Sequence, residues 1–258
     1  MNKHAVLKVG IAIAFAGAVA GCAHKKAPPP PAQPSAATEQ AISNAEQCIS
    51  QAQQLGVSVD QAQQLLDQAK QAAQVPNDDK AQSLASQVCQ QTDSAINQYY
   101  LDKARQLDSQ ARQYTNLTSA EQSQLQQGET AIANNQGKNA YDILSALVSQ
   151  LQSAKTTYTV VRGDNLWDIA KKPSIYGNPY EWPLIYLHNS DKIGNPDLIY
   201  PDQQLEIYLN PMQDEAQSAE QHAKTRGPWQ NGQALSKDKA WLNAQQSKMN
   251  QGMNGGGH

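Results

Sequence analysis

The chain has 258 residues, of which 39% are hydrophobic and only 17% are charged, so amide and hydroxyl side chains supply most of its polarity. A formal net charge of -3 without a long basic block argues against binding to phosphate polymers, and we expect no nucleic-acid partner. The single Phe is Phe15, so large apolar cores are not expected beyond the amino terminus.

The first 22 residues have the order of a secretory signal, with a basic start and an apolar run over residues 9–20. This run is shorter than the roughly 20 residues needed to cross a bilayer, which argues against an uncleaved membrane helix. Val19, Ala20 and Gly21 before Cys22 resemble the lipobox of bacterial lipoproteins. The resemblance implies a signal peptide at 1–21, lipidation of Cys22 as the membrane anchor and, with Ala23 rather than Asp next, the periplasmic face of the outer membrane.

A Pro-rich tether is predicted for residues 22–37, because it contains four consecutive prolines at 28–31 and a fifth at Pro34. Proline fixes φ and removes a backbone donor, which favours an extended, semi-rigid spacer. The alternative, a disordered linker, has nearly the same consequence.

Residues 38–155 are predicted to form an α-helical domain of about five helices, because Ala, Leu and Gln recur at helical spacing. Ser58 with Gln61 and Thr118 with Glu121 are candidate capping boxes. Small inward residues favour an Ala/Gln-rich helical bundle or hairpin array that presents an envelope protein partner. A peptide-binding solenoid is the alternative that we disfavour, because no true repeat is found.

Cys48 and Cys89 are the two cysteines left once Cys22 is lipidated, and they face an oxidising compartment. Both lie on inward stripes of predicted helices. We expect a disulfide between them; the alternative is two buried free thiols that behave as small hydrophobic residues.

Residues 157–209 are predicted to fold in the order β-α-α-β. A β-prone run precedes a Gly-Asp turn and a short helix, and Pro183 suits the first turn of a second helix. Leu205, Ile207 and Leu209 then alternate with polar residues as a strand.

This segment resembles a LysM domain in its Gly163-Asp164, Asn-Pro-Asp and Pro-Asp-Gln motifs and in their order and spacing. It departs from the family pattern at Asn165, where Thr is usual, and at Asp202, where Gly is usual. We expect Asp202 to strain its turn, because Gly tolerates a positive φ at lower cost. The expected fold class is therefore mainly α with a small LysM domain.

The resemblance implies binding of a glycan that contains N-acetylglucosamine, in this compartment peptidoglycan, in a shallow groove between two loops. The loops comprise Gly163, Asp164, Asn165 and Leu166 on one wall and Pro196, Asp197, Leu198 and Ile199 on the other. As alternatives, Leu166 is a core residue and Asp164 chiefly caps the first helix. For Trp167 and Trp182 we favour a core position over stacking on sugar.

Residues 210–258 form a polar tail that is predicted to be largely disordered, with a short helix after Pro211 and another near residues 235–249. Trp229 and Trp241 are unusual in such a tail and are candidates for docking on the domain or on a partner. His222 and His258 lack companions at metal-ligand spacing, so no metal site and no cofactor is expected.

Three functions remain, and we favour a non-enzymatic, lipid-anchored protein that binds peptidoglycan. The first alternative is a LysM-fold interaction or ion-responsive module without glycan binding, in which Asp164, Asp197 and Asp202 matter more. The second and less favoured alternative is a peptidoglycan hydrolase. If it were a transglycosylase that works with a single carboxylate, the candidate catalytic residues would be Glu39, Glu46, Glu121 and Glu129.

Overall fold

The computed structural model describes residues 33–75, 77–228 and 235–254, so the predicted signal peptide, Cys22 and most of the Pro-rich tether lie outside the described residues. Its first part is helical, as predicted. The helices are α1 (Ala36–Gln54), α2 (Asp60–Gln74), α3 (Asp78–Ala111), α4 (Ser119–Ala133) and α5 (Gly137–Ser153).

The long helix α3 is the shared element of two small three-helix units. Its amino-terminal half packs with α1 and α2 around a core that includes Ala45, Leu66 and Val88. Its carboxy-terminal half packs with α4 and α5 around Ala104 and Leu144. Because many inward residues are Ala, helix axes approach closely while each contact buries little apolar area.

The helix starts follow from local capping. Ser35 accepts a hydrogen bond from the Thr38 amide, so α1 begins at Ala36, two residues before the predicted start of the helical domain. The predicted capping box of Thr118 and Glu121 is confirmed at the start of α4. The one predicted at Ser58 is wrong, because the Ser58 hydroxyl donates to the Asp60 side chain and the residue before α2 makes no side-chain cap.

A disulfide and a pair of hydrogen bonds fix α3 against its neighbours. Cys48 of α1 and Cys89 of α3 form a disulfide with their Cα atoms 5.3 Å apart. Asn97 of α3 accepts from the Gly137 amide at 2.8 Å and donates to the Asn135 carbonyl at 3.0 Å. A Cβ on Gly137 would collide with the Asn97 carbonyl, so this turn requires glycine.

The predicted β-α-α-β order follows directly after α5. Strand β1 (Lys155–Thr159) pairs antiparallel with β2 (Gln204–Tyr208), and α6 (Leu166–Lys171) and α7 (Trp182–His188) lie between them in sequence. Leu205 and Ile207 are fully buried under these helices. Asn189 joins α7 to β2, because its side chain donates to the Ile185 and Glu206 carbonyls and accepts from the Glu206 amide.

The tail is not largely disordered where the structure describes it, which corrects the prediction for 210–258. The two helices predicted within it are both present, as α8 (Gln213–Thr225) and α9 (Ser236–Asn254). Ala219 of α8 is fully buried in the core of the β-α-α-β unit, and Trp241 of α9 packs against the same core. Burial of these side chains offsets the ordering entropy of the tail. Trp229 lies outside the described residues.

The connection between the helical part and the β-α-α-β unit is reinforced by backbone hydrogen bonds. The Thr115 amide donates to the Pro211 carbonyl at 2.9 Å, and the Gln213 amide donates to the Gln113 carbonyl at 2.7 Å. The two parts are therefore joined at two places, here and at the chain crossing from α5 into β1. In the part of the chain that the structure describes, none of the helices has the length and apolar character needed to span a bilayer.

Candidate functional site

The first loop of the candidate site is built around Asp164 and Asn165. The Asp164 carboxylate accepts from the Tyr158 hydroxyl at 2.8 Å and from the Val161 amide at 2.9 Å, and Gly163 supplies a positive φ of 97°. Asn165 caps α6 by accepting from the Asp168 amide at 2.8 Å. The alternative in which Asp164 caps this helix is therefore wrong, and Asn165 serves in place of the usual Thr because both are good N-cap residues.

The second loop is shaped by two polar side chains. Asn195 accepts from the Asp197 amide through its side chain at 3.1 Å and from the Leu198 amide through its carbonyl at 3.0 Å. Gln203 bridges the Tyr200 amide and the Lys192 carbonyl. Asp202 adopts the predicted strained conformation, with a φ of 70°.

A cleft of about 350 Å³ lies between the two loops. Four of the predicted site residues line it, namely Asn165, Leu166, Pro196 and Asp197, and they are joined there by Trp167, Trp182 and Arg226. The other four predicted residues, Gly163, Asp164, Leu198 and Ile199, do not line this cleft. Gly163 and Asp164 shape the first loop, and Ile199 packs against the core.

The two tryptophans differ in their environment. Trp182 is 6% exposed and belongs to the core, as predicted, although its edge reaches the cleft. Trp167 is 40% exposed, so the prediction that it fills the core is wrong. Its ring contacts Tyr180 edge to face, with centroids 4.8 Å apart. The two rings form an exposed aromatic ledge beside the cleft, which we call the Trp167 ledge.

Arg226 is the cleft residue that sequence reasoning missed, because it lies in the tail, 29 positions after the aspartate that it binds. Its guanidinium donates to both carboxylate oxygens of Asp197, at 2.9 and 2.8 Å, and lies 5.1 Å from the centroid of the Trp182 ring. A lone Arg at the end of a predicted short helix gives no sequence signal for such a contact.

A second carboxylate holds the other side of Arg226. Asp238 accepts from the Arg226 guanidinium at 2.9 and 2.7 Å and lies 2.7 Å from the His222 Nε2. Burial alone raises the pKa of Asp238, but the bonds to His222 and Arg226 and the charge of Arg226 lower it from 3.8 to about 2. Burial lowers the pKa of Arg226, but its bonds to Asp238 and Asp197 raise it above its ordinary value.

Three of the four glutamates considered for catalysis are engaged in structural contacts, and the fourth, Glu39, is exposed in the first turn of α1. Glu121 is 5% exposed and accepts from Thr118 and Gln150. Glu46 pairs with Lys70, and Glu129 pairs with Arg112. Within the described ranges, no group of three or more His, Cys, Asp or Glu side chains is arranged to hold a metal ion.

The cleft is suited to an uncharged, amphipathic ligand. Its walls combine aromatic and aliphatic residues with the amide residue Asn165, and the charges of Arg226 and Asp197 are paired with each other. Such a surface offers apolar contact and hydrogen bonds, which are the contacts that a neutral sugar makes.

Comparison with known proteins identifies this unit. Residues 158–207 match the family model of the LysM domain. No match to the chain was found among curated proteins or among solved structures. The matched segment covers α6, α7, the last two residues of β1 and nearly all of β2, and it ends before α8 and α9. The chain therefore contains a LysM domain, which is a glycan-binding module for peptidoglycan or chitin and not a catalytic domain.

Proposed function

We propose that this protein is a non-enzymatic component of the bacterial cell envelope that binds peptidoglycan through its LysM domain. The observation that carries the proposal is the Trp167 ledge, an exposed aromatic surface beside a cleft whose charges are already paired. An N-acetylated sugar presents a neutral ring, a methyl group and an amide. These groups match an aromatic face, an apolar patch and backbone hydrogen-bonding groups.

A single shallow cleft is expected to bind weakly, because few contacts remain after the entropy cost of association. Peptidoglycan is a polymer with many identical sites, and a tethered domain rebinds such a polymer at high effective concentration. Weak intrinsic affinity is therefore compatible with firm attachment to the wall.

Co-sedimentation of the purified full chain, in mild detergent, with insoluble peptidoglycan sacculi tests this function. We expect retention that soluble N-acetylglucosamine oligomers compete away and that raised salt leaves largely unchanged, because the ligand-facing surface is neutral. Absence of retention at every salt concentration would favour an interaction module without glycan binding. Clearing bands on peptidoglycan-containing gels would instead reveal a hydrolase.

We propose that Cys22 carries the lipid anchor and that the protein faces the periplasm from the outer membrane. The support is the small-residue sequence before Cys22, and Ala23 after it. Two or more acyl chains hold a protein durably at a membrane, whereas one holds it marginally. Radiolabelled palmitate should enter the wild-type chain and not a Cys22→Ser variant. An Ala23→Asp variant should move from the outer to the inner membrane fraction.

We further propose that α1–α5 act as a spacer or scaffold that presents a protein partner. Helix α3 has 34 residues and spans about 50 Å at 1.5 Å per residue. The bonds of Thr115 and Gln213 across the junction restrain the LysM domain relative to this helix. Photo-crosslinking from exposed positions such as Gln47 and Gln126 should capture an envelope protein. Crosslinks to no protein would contradict the scaffold role.

A further inference from the structure

The carboxy-terminal helices hold one wall of the LysM cleft. We propose that α8 and α9 belong to the glycan-binding unit and that Arg226 is a positioning residue, which fixes the wall formed by Pro196 and Asp197. This inference rests on the proposed function, since it assigns the residue that sets the shape of the same cleft. The unit that binds glycan then extends well beyond the family segment 158–207.

The contacts of Arg226 are those of a clamp between two carboxylates. Nη1 and Nη2 donate to the two oxygens of Asp197 at 2.9 and 2.8 Å, and Nε and Nη2 donate to Asp238 at 2.9 and 2.7 Å. The side chains of Arg226 and Asp197 are each 9% exposed, and that of Asp238 is fully buried. A shielded, bidentate ion pair of this kind fixes geometry, whereas exposed pairs contribute little.

The clamp is itself anchored in the packing of the tail. His222 of α8 lies 2.7 Å from Asp238 of α9, and its ring lies between the rings of Trp182 and Trp241. The Trp241 indole N–H donates to Ser218 at 3.0 Å, which joins α9 back to α8. Movement of the guanidinium away from the wall would separate it from the buried carboxylates of Asp197 and Asp238, and the separation of buried opposite charges is costly.

Arg226 adds a long-range ion pair to the local hydrogen bonds of the wall. The Asp197 and Leu198 amides both bond to Asn195, which fixes the turn but not its distance from the first loop. Arg226 restrains the wall relative to the rest of the cleft, since it contacts the ring of Trp182 in α7 as well as Asp197. A wall held in place before the ligand arrives lowers the entropy cost of binding.

Two variants and one control test the proposal in the full chain. Arg226→Met removes the clamp, and Asp238→Asn weakens it from outside the cleft lining. Lys239→Met removes an exposed cation from the residue next to Asp238 and serves as the matched control. Affinity for a soluble N-acetylglucosamine tetramer is measured by calorimetry. Amide hydrogen exchange is measured at Asp197 and Leu198, with Leu187 in α7 as the internal reference.

We expect Arg226→Met to raise the Kd for the glycan roughly tenfold. This is the change that results if the wall of the variant adopts its binding geometry only about a tenth of the time. Exchange at Asp197 and Leu198 should accelerate while Leu187 is unchanged. Asp238→Asn should act in the same direction and Lys239→Met should have no effect. Arg226→Lys should restore binding only in part, because one ammonium group cannot replace the guanidinium fork.

Unchanged affinity and unchanged loop exchange in both clamp variants would overturn the proposal. Equal acceleration at Leu187 and Leu198 would also overturn it, because Arg226 would then stabilise the whole domain and not the wall. If the wild-type chain binds no glycan, the proposed function fails, and the exchange measurement still decides whether Arg226 holds the wall.

Discussion

The imidazole ring of His222 stacks on the indole ring of Trp241, with centroids 5.1 Å apart and planes inclined by 15°. Both residues lie beyond the segment that matches the LysM family, yet His222 also contacts Trp182 inside that segment, with centroids 6.0 Å apart. The rings of the tail and of the domain thus form one continuous packing layer. The LysM core in this chain is larger than the family segment.

Acid should selectively weaken this layer through Asp238. A carboxyl group whose pKa is lower in the folded than in the unfolded state stabilises the fold above its unfolded pKa. That contribution disappears as the pH falls through the folded value, so for Asp238 the window runs from about pH 4 to about pH 2. The contribution is on the order of 2 kcal/mol.

This contribution to the free energy of unfolding is measured by urea unfolding of the wild type and of Asp238→Asn. Trp fluorescence follows the unfolding at a series of pH values from neutral down to about pH 2. The free-energy difference between the two proteins should be constant above about pH 4 and should shrink below it. Other carboxyl groups titrate in both proteins and cancel in the difference. A difference that does not change with pH would contradict the account.

Replacement of Trp167 by Ala should weaken glycan binding while the LysM domain stays folded. The side chain is 40% exposed, so its loss should cost less folding free energy than the loss of a fully buried tryptophan. Loss of an aromatic face that stacks on sugar should raise the Kd roughly tenfold, or about 1.4 kcal/mol. Titration calorimetry and thermal unfolding give the two values. Tyr99→Ala, in α3 of the helical part, is the matched aromatic control and should leave Kd unchanged.

Removal of the Cys48–Cys89 disulfide should destabilise the helical part. The bridge spans a sequence separation of 41 residues, and the chain-entropy model assigns about 4 kcal/mol to a loop of this size. A Cys48→Ala/Cys89→Ala variant should therefore unfold at lower urea concentration than the wild type. Reductant should lower the urea midpoint of the wild type towards that of the variant. If reductant also lowered the midpoint of the variant, loss of the disulfide would not explain the destabilisation.

Asp202 is a site where a single substitution should stabilise the LysM domain. Its φ of 70° lies in the left-handed region, which glycine adopts without a steric penalty. Asp202→Gly should increase the free energy of unfolding by about 0.5 kcal/mol, after the greater freedom of glycine in the unfolded chain is subtracted. Asp202→Ala should decrease it, because a left-handed φ costs Ala more than it costs Asp. If Asp202→Ala were more stable than Asp202→Gly, backbone strain at this position would be contradicted.

Local sequence signals predicted much of the fold. The helical stripe placed Ala45 and Ala52 in the core, and both are fully buried. Alternation in the second strand placed Leu205 and Ile207 under the helices, where they lie. These features follow from the periods of helix and strand, which are properties of neighbouring residues.

Features that depend on distant contacts were not predicted. The stripe of α8 buries only Ala216, Ala219 and His222, which is too small a signal to indicate a folded tail. Its partner surface is formed by residues far away in sequence, as is the partner of Arg226. The exposure of Trp167 likewise depends on what packs over α6, and no local pattern specifies that.

Titration of the isotope-labelled full chain with a soluble N-acetylglucosamine oligomer, followed by NMR, tests the central claim most directly. We expect saturable shifts of the Trp167 indole N–H and of the Asn165 and Asp197 amides, with resonances of α1–α5 unchanged. Absence of shifts at excess ligand, or shifts confined to residues outside the cleft, would contradict glycan recognition between these two loops.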